Sequence, residues 1–374
     1  MKFLHIADLH LGKKLNDADF LPVQEKALDQ VVEEALTRHV DAVVIAGDVY
    51  QQSSPPAEAM KLFDAFVSRL TEKGCKVIMI SGNHDSGDRI SYLGRLVKKA
   101  GLYASETFDG VIPHVTLSDE YGDVNFYLLP FLRYLPARKV FPGKEISSCE
   151  DAVREAIAQT PIDPAARNVL VCHQFVLGAE ESDSEEKTVG GLDKIPATLF
   201  KDFDYTALGH IHKPQYAGAA NVRYAGSLYK YSFSETAHRK SMTLVEMGEK
   251  GEVAVSEIPF TYPRDMRRVE GYLDELLSGT PSEDYVWVTL HDEEVPIEAR
   301  YTLRCVFPNM LKFSVVNSKS AADMDVTGAE KVEQRPVEEL FREFYKKHNN
   351  DRDPGEMEMQ ILLDTLREIE EEGK

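Results

Sequence analysis

Asp41-Ala42-Val43-Val44-Ile45-Ala46-Gly47-Asp48 is the stretch whose reading decides the fold. An unbroken run of small and β-branched apolar residues predicts a strand buried on both faces. It stops at a glycine, which lets the backbone turn sharply away from the strand, and then at a carboxylate. The same punctuation recurs along the chain. Phe3-Leu4-His5-Ile6-Ala7 ends at Asp8-Leu9-His10, and Lys76-Val77-Ile78-Met79-Ile80 ends at Ser81-Gly82-Asn83-His84-Asp85. Asn168-Val169-Leu170-Val171-Cys172 ends at His173, and Tyr205-Thr206-Ala207-Leu208 ends at Gly209-His210-Ile211-His212. Apolar positions at Ala27, Leu28, Val31, Val32, Ala35 and Leu36 predict a helix over about 23–39. Pro55-Pro56 opens a second helix, to about Glu72, where proline suits a helix start. Alternation of strands and helices is the mark of an α/β sheet with helical crossovers. In such sheets ligand sites gather beyond the carboxyl ends of strands, and each polar cluster sits at such an end. Further strand-like runs lie at 125–129 and 242–246.

The clusters supply carboxylate, amide and imidazole groups, the ligand set of a pair of divalent ions. Mg2+ and Mn2+ favour carboxylate oxygen, and added imidazole suits Mn2+, Fe2+ or Zn2+. A bridging carboxylate can hold two ions about 3.5–4 Å apart. Asp48 is the choice for that bridge, because it follows a central strand and comes early in the set. Asn83 offers a neutral carbonyl oxygen and so binds without adding charge. Isolated histidines at His5, His39, His114, His238, His291 and His348 read as ordinary core or surface residues.

Bulk properties narrow the field. With 374 residues, 43% hydrophobic and 28% charged, the chain has the makeup of a globular protein of more than one domain. No apolar run approaches the roughly 18 residues of a membrane span. The N-terminus lacks the apolar stretch and cleavage site of a signal peptide. Cys75, Cys149, Cys172 and Cys305 are widely spaced, which fits reduced thiols in the cytoplasm and no zinc knuckle. Cys172, beside His173, reads as a buried strand residue rather than a ligand. A net charge of −20 argues against a chain that coats nucleic acid by itself. It does not exclude a phosphate-bearing substrate, because bound cations reverse the field locally.

The order D-x-H, G-D, G-N-H-[DE], H, G-H-x-H resembles the calcineurin-like metallophosphoesterase superfamily over about residues 1–250. That resemblance implies a four-layer α-β-β-α sandwich and two divalent ions, Mn2+ ahead of Mg2+. It places Asp8, His10, Asp48 and His212 on one ion and Asp48, Asn83, His173 and His210 on the other. It makes His84 the donor to the leaving oxygen, with Asp85 as its orienting partner. The superfamily's protein phosphatases carry an arginine after Gly-Asp, whereas Gly47-Asp48 is followed by Val49-Tyr50-Gln51-Gln52. Ala7–Gly12, Ser54-Pro55-Pro56, Ser86-Gly87-Asp88-Arg89-Ile90, Tyr224-Ala225-Gly226-Ser227 and Tyr231-Ser232-Phe233 instead resemble the superfamily's double-strand-break repair nucleases. Gln51 departs from relatives that carry His or Asp near the metals. Those nucleases cut duplex ends exonucleolytically and hairpins or single strands endonucleolytically, together with a coiled-coil ATPase. A small-molecule phosphodiesterase or nucleotidase is the alternative enzyme, and a metal-retaining scaffold a third reading.

The resemblance divides the chain into a nuclease domain (1–262), a small α+β capping domain (263–330) and C-terminal helices (331–374). A helix is expected over 266–277, with strands at Tyr285–Leu290 and 302–306 and a polar stretch at 318–328. Val337, Leu340, Phe341, Phe344 and Tyr345 form one amphipathic stripe. After a breaker at 349–355, Met359, Leu362, Leu363, Leu366 and Ile369 form another, followed by a charged tail at 368–372. Apolar faces beyond a complete enzyme domain need a cover, either their own domain or a partner, and the resemblance makes that cover the ATPase. Lys13, Lys14, Arg89, Arg133 and Lys230 are candidates for steering DNA, and a homodimer is a further implication of the family.

Overall fold

Residues 42–46 are buried throughout, yet they face two ways, because successive side chains on a strand point to opposite faces. Val43 and Ile45 join a core with Val31, Val32, Phe66 and Leu70 from the helices Leu21–Thr37 and Ala57–Thr71. Ala42, Val44 and Ala46 pack the other way, with Phe126, Val169, Val171 and Ala207. Those partners belong to a second sheet, whose far face carries Tyr127, Leu129, Leu170, Cys172 and Leu208. The helices Tyr134–Val140 and Cys149–Gln159 cover that far face with Ala137, Ala152, Val153 and Ala156. The layers therefore run helix, sheet, sheet, helix, as the resemblance implied.

The structure, a computed structural model, describes residues 1–16, 18–91, 97–105, 107–185, 193–318, 341–342, 345–346, 352–355, 357–360 and 362–363. The first six-stranded sheet has the order Val253–Pro259, Ser241–Met247, Lys2–Ile6, Ala42–Ala46, Lys76–Ile80, Leu102–Ala104. Its last four strands run parallel, with Phe3 opposite Ala42 and Ala46 opposite Ile80. The second has the order Gln215–Ala217, Ala219–Tyr224, Tyr205–Gly209, Arg167–His173, Gly122–Leu129, His114–Asp119. Its four central strands are parallel, and Gly209 stands opposite His173. Parallel strands end together, so both sheets deliver their polar clusters to one rim.

The chain divides into two compact units. One comprises Met1–Val269, Leu277–Val288 and Arg300–Phe313, and the other Glu270–Leu276, Thr289–Ala299 and Ser314–Lys374. Two expected elements differ from those observed. Residues 266–277 begin as the strand Met266–Gly271 and become helical only at Leu273–Leu277. Gly271 interrupts what looked like continuous helical spacing, and Asp292 Oδ2 caps the new start by accepting the Leu273 N–H at 2.9 Å. Residues 302–306 lie within the helix Ala299–Val306, not in a strand. Leu303, Val306 and Phe307 are buried there at helical spacing, which overrides the weak strand preference of Thr302 and Val306. In the C-terminal stripes, Phe341 and Tyr345 pack ring to ring at 5.9 Å. Val337, Leu340, Phe344, Leu366, Ile369, most of the polar stretch at 318–328 and the tail at 368–372 lie outside the described residues.

Candidate metal centre

All seven expected ligands come from the carboxyl ends of parallel strands, and the two sheets bring them together. Four of them leave their strands strained. Asp8, His10, Asp48 and His210 have φ of 50°, 44°, 50° and 100°, in the left-handed region that side chains avoid. Such a residue costs about 1–3 kcal/mol. Each fully buried Val or Ile in the adjoining strands contributes about 1.5–3 kcal/mol, so the paired sheets can hold the four turns in place. Two glycines make room. A Cβ on Gly47, itself at φ +87°, would overlap the His173 ring, and one on Gly82 would overlap the Asp48 carboxylate.

The lone-pair atoms converge. Asn83 Oδ1 lies 3.1 Å from both His173 Nε2 and His210 Nδ1. His10 Nε2 lies 3.1 Å from His212 Nε2. Asp48 Oδ2 stands between these groups, 3.4 Å from His173 Nε2 and 3.6 Å from His10 Nε2. Ligands about 2.1 Å from a common ion sit about 3 Å apart at the corners of an octahedron, so this spacing fits cation binding. Asp8, His10 and His212 form one triad with metal-ligand spacing, and Asp8, Asp48 and His173 another. Asp8 therefore reaches toward both halves. His10 Nδ1 is buried without a hydrogen-bond partner.

Burial and charge tune these groups against one another. Burial pushes the Asp8 carboxyl up to about 6, opposed by the His173 and His212 imidazoles. Burial would raise Asp48 too, but His173, His10 and His84 outweigh it and hold the carboxyl well below its usual range. Burial works to lower His173, yet Asp48 and Asp8 lift it to about 9. Burial and then the charge of His173 drive His210 down to about 3, and burial lowers His10 as well. The set is thus a net acceptor of positive charge.

Second nitrogens decide which atom each imidazole offers. His173 Nδ1–H donates to the Ala46 carbonyl at 2.7 Å, which leaves its Nε2 lone pair for the site. His84 donates its Nδ1–H to the Gln51 carbonyl at 3.0 Å and its backbone N–H to Asp48 Oδ1 at 2.9 Å. Gln51 thus orients His84 through its backbone, a contact that its side-chain type could not announce. Asp85 accepts three backbone N–H groups, from Val49, Tyr50 and Gly82, each at 3.0 Å. It ties the turn after Asp48 to the turn before Asn83. Burial, and then the charge of Asp48, pushes its carboxyl up to about 7.

Sequence reasoning missed a hydroxyl and three charged side chains behind His212. Ser184, Glu185, Glu235 and Lys240 are brought to it from two irregular segments, and only the burial of the three charged ones marks the group out. Of the basic candidates, Lys230 is buried and donates to Asp265, Thr236 O and Met266 O, so it is a structural tie and not a DNA-steering group. Lys14, Arg89 and Arg133 are exposed. Cys172 is buried, and burial pushes its thiol up. His5 is a core residue, with Nδ1 3.0 Å from the Tyr205 hydroxyl and Nε2 3.2 Å from the Leu208 carbonyl.

Residues 1–214 match the family model described as calcineurin-like phosphoesterase. The SbcD component of the nuclease SbcCD from Staphylococcus saprophyticus is 32% identical over 83% of this chain and 84% of its own. The chain belongs to the SbcD branch of the calcineurin-like phosphoesterases. A second SbcD, from the SbcCD nuclease of Staphylococcus epidermidis, is 29% identical over 93% of this chain and 94% of its own. Residues 262–349 match the model described as type 5 capsule protein repressor C-terminal domain. A dimetal phosphatase from Danio rerio is similar in structure, 11% identical, with a TM-score of 0.41 over 70% of this chain and 99% of that one. So loose a likeness adds nothing to the sequence matches. Metal-dependent phosphoester hydrolysis is the chemistry of an SbcD-type chain, and the donor set above is suited to divalent ions. Among the described residues no helix is long and apolar enough to cross a membrane.

Proposed function

We propose that this chain is a Mn2+- or Mg2+-dependent DNA nuclease of the cytoplasm. It acts as a double-strand exonuclease and a single-strand or hairpin endonuclease with an SbcC-type coiled-coil ATPase in repair and recombination. The observation that carries this reading is the convergence of Asp8, His10, Asp48, Asn83, His173, His210 and His212 in a chain whose relatives are components of SbcCD nucleases. Those relatives favour it over the small-molecule phosphodiesterase or nucleotidase.

Asp8, His10, Asp48 and His212 would hold one ion, and Asp48, Asn83, His173 and His210 the other, with Asp48 shared. Bound there, the pair supplies an acidified water as nucleophile and neutralises charge that grows on the phosphate. The chain's own work is to fix donors before substrate arrives, which spares reorganisation during reaction. His84, with Nδ1–H committed to Gln51 O, keeps Nε2 for the proton that the leaving oxygen needs. Asp85 keeps His84 and Asn83 in register by binding both turns. Residues 1–262 would carry this chemistry, 263–330 would cap it, and the helices of 331–374 would dock on the ATPase. A homodimer of this chain is part of the same reading.

The test is to incubate the full chain with Mn2+ and labelled DNA, alone and with its ATPase partner. Metal-dependent cleavage that disappears in His84→Ala is the expected result. Metal bound without cleavage of any DNA in either case, or nucleotide turnover far above DNA turnover, sinks the proposal. Removing residues 335–374 should abolish ATPase binding and spare cleavage of simple substrates. Unchanged partner binding would count against docking.

A further inference from the structure

His212 is gripped at three atoms. Glu185 Oε1 accepts its backbone N–H at 2.9 Å, and Lys240 Nζ donates to its carbonyl at 2.7 Å. The Ser184 hydroxyl lies 2.7 Å from Nδ1. Ser184 also donates to Glu235, whose other carboxylate oxygen pairs with Lys240, and both members of that ion pair are fully buried. Glu185 is itself steadied by Ser182, whose hydroxyl donates to Oε2 at 2.7 Å.

Proton counting fixes the direction of this chain of bonds. A carboxylate only accepts, and a serine hydroxyl has one hydrogen. Ser184 spends that hydrogen on Glu235, so toward His212 it can only accept. His212 must therefore carry its proton on Nδ1, and the Nε2 lone pair is left facing His10 Nε2. A buried Glu–Lys pair is a poor way to gain stability, because desolvation offsets most of the attraction. Its placement one hydroxyl behind a ligand gives it a different role.

We propose that Ser184 and Glu235, held by Lys240, are positioning residues for His212: they lock its tautomer and set the affinity of the Asp8–His10–Asp48–His212 half for its divalent ion. The proposal rests on the two-ion reading of the site. It differs from the arrangement at His173, where a strand carbonyl does the same work directly. Ser184 lies on the irregular stretch that follows Val176 and Glu235 on the short helical turn Phe233–Glu235, so ion affinity in this half depends on how those two loops meet.

The experiment strips the full chain of metal and titrates Mn2+ by calorimetry, with electron paramagnetic resonance to distinguish single from paired ions. Wild type should bind two ions. Ser184→Ala should weaken one of them about 10- to 100-fold, the usual effect of losing such a partner, and leave the other unchanged. At sub-saturating Mn2+ the paired-ion signal should give way to that of single ions. Ser184→Thr, which restores the hydroxyl, should recover the affinity. Glu235→Gln should act like Ser184→Ala. If it fails to fold, Ser184→Ala decides alone, since it leaves the Glu235–Lys240 pair intact. Wild-type affinity for both ions in Ser184→Ala overturns the proposal. So does an equal loss at both ions that Ser184→Thr does not restore, which would mark a merely structural role. DNA cleavage is scored separately at saturating Mn2+. Its absence in wild type would remove the nuclease reading and leave the ratio of the two affinities readable.

Discussion

In the proposed two-ion site, His173 and His212 do the same job by different means. His173 closes the strand Arg167–His173 and rests its Nδ1–H on the carbonyl of Ala46, a residue of the neighbouring sheet's core. His212 lies beyond its strand and rests on Ser184, Glu235 and Lys240, three side chains from loops. One half of the site is built from backbone that the sheets already fix. The other is built from buried charge. Backbone support comes at no extra desolvation cost, but it cannot be changed without moving a strand. A side-chain network costs burial of an ion pair, yet its strength can be altered one residue at a time.

Asp48 Oδ2 stands between His173 and His10, and in the proposed two-ion site, where it is shared, removing its charge gives the largest expected effect. Asp48→Asn keeps the shape and the contact from the His84 N–H. It should weaken both ions and lower metal-dependent cleavage on the order of 10^3-fold, the scale of losing a central electrostatic group. Mn2+ titration checks this. Weakening of one ion alone would mean that Asp48 is not shared and that the two halves are separate sites. Gly82→Ala comes next. Its Cβ overlaps the Asp48 carboxylate and backbone, so folding should lose about 1–3 kcal/mol, the usual cost of overpacking. Urea denaturation of the metal-free chain measures it, and an unchanged midpoint would show that the turn yields.

The same contrast explains what could be read from the sequence. The His173 half was legible because its support is regular. β-Branched runs mark the strands, strands in parallel sheets end on one rim, and the polar residues at those ends become neighbours. The His212 half was legible only in its expected ligands. Nothing about Ser184, Glu185 or Glu235 in a serine- and acid-rich stretch separates them from solvated surface residues. The burial of the two glutamates comes from how two irregular segments pack, and such segments carry no periodicity. The errors at 266–277 and 302–306 have the same root. Apolar residues at 266, 269, 273 and 276 suit a helix until Gly271 divides them, and Thr302 with Val306 suits a strand until Leu303 and Phe307 are buried beside Val306.

pH separates the halves further. In the metal-free fold His173 is raised to about 9, by Asp48 and Asp8 against burial, while His10 and His210 are lowered and neutral near pH 7. A raised imidazole stabilises the fold fully below its unfolded value of about 6.5, and that contribution is lost as pH rises through about 9. A cation must displace the same proton from Nε2, since Nδ1–H is held by Ala46. The ion on the His173 half should therefore bind more tightly as pH rises from about 6.5 to 9, by at most about tenfold per pH unit for one proton. Calorimetry in buffers of different ionisation enthalpy reads the proton released. Metal-free His173→Gln should lack the wild type's fall in stability across that window. An identical fall in the variant would assign the proton elsewhere.

The smallest effect tests whether the side-chain half is as tightly specified at its outer edge as at Ser184. The loop carrying His10 is held by Gln24 and Tyr231. Gln24 Nε2 faces three acceptors, Leu9 O at 3.0 Å, His10 O at 2.8 Å and the Tyr231 hydroxyl at 2.8 Å, with only two hydrogens to give. The Tyr231 hydroxyl donates to Leu9 O at 2.5 Å. In Tyr231→Phe the amide hydrogens can serve Leu9 O and His10 O alone, so no carbonyl loses its last donor. The ring keeps its edge contacts with His10 and His212. The cost should be no more than about 1 kcal/mol, one ordinary hydrogen bond, with Mn2+ binding unchanged. Gln24→Leu, by contrast, strips His10 O of its side-chain donor and should cost about 1–3 kcal/mol. Urea denaturation of both variants settles the order. If Tyr231→Phe proves the costlier, the tyrosine and not the glutamine holds the loop, and the support behind His10 is one bond deep where that behind His212 is three.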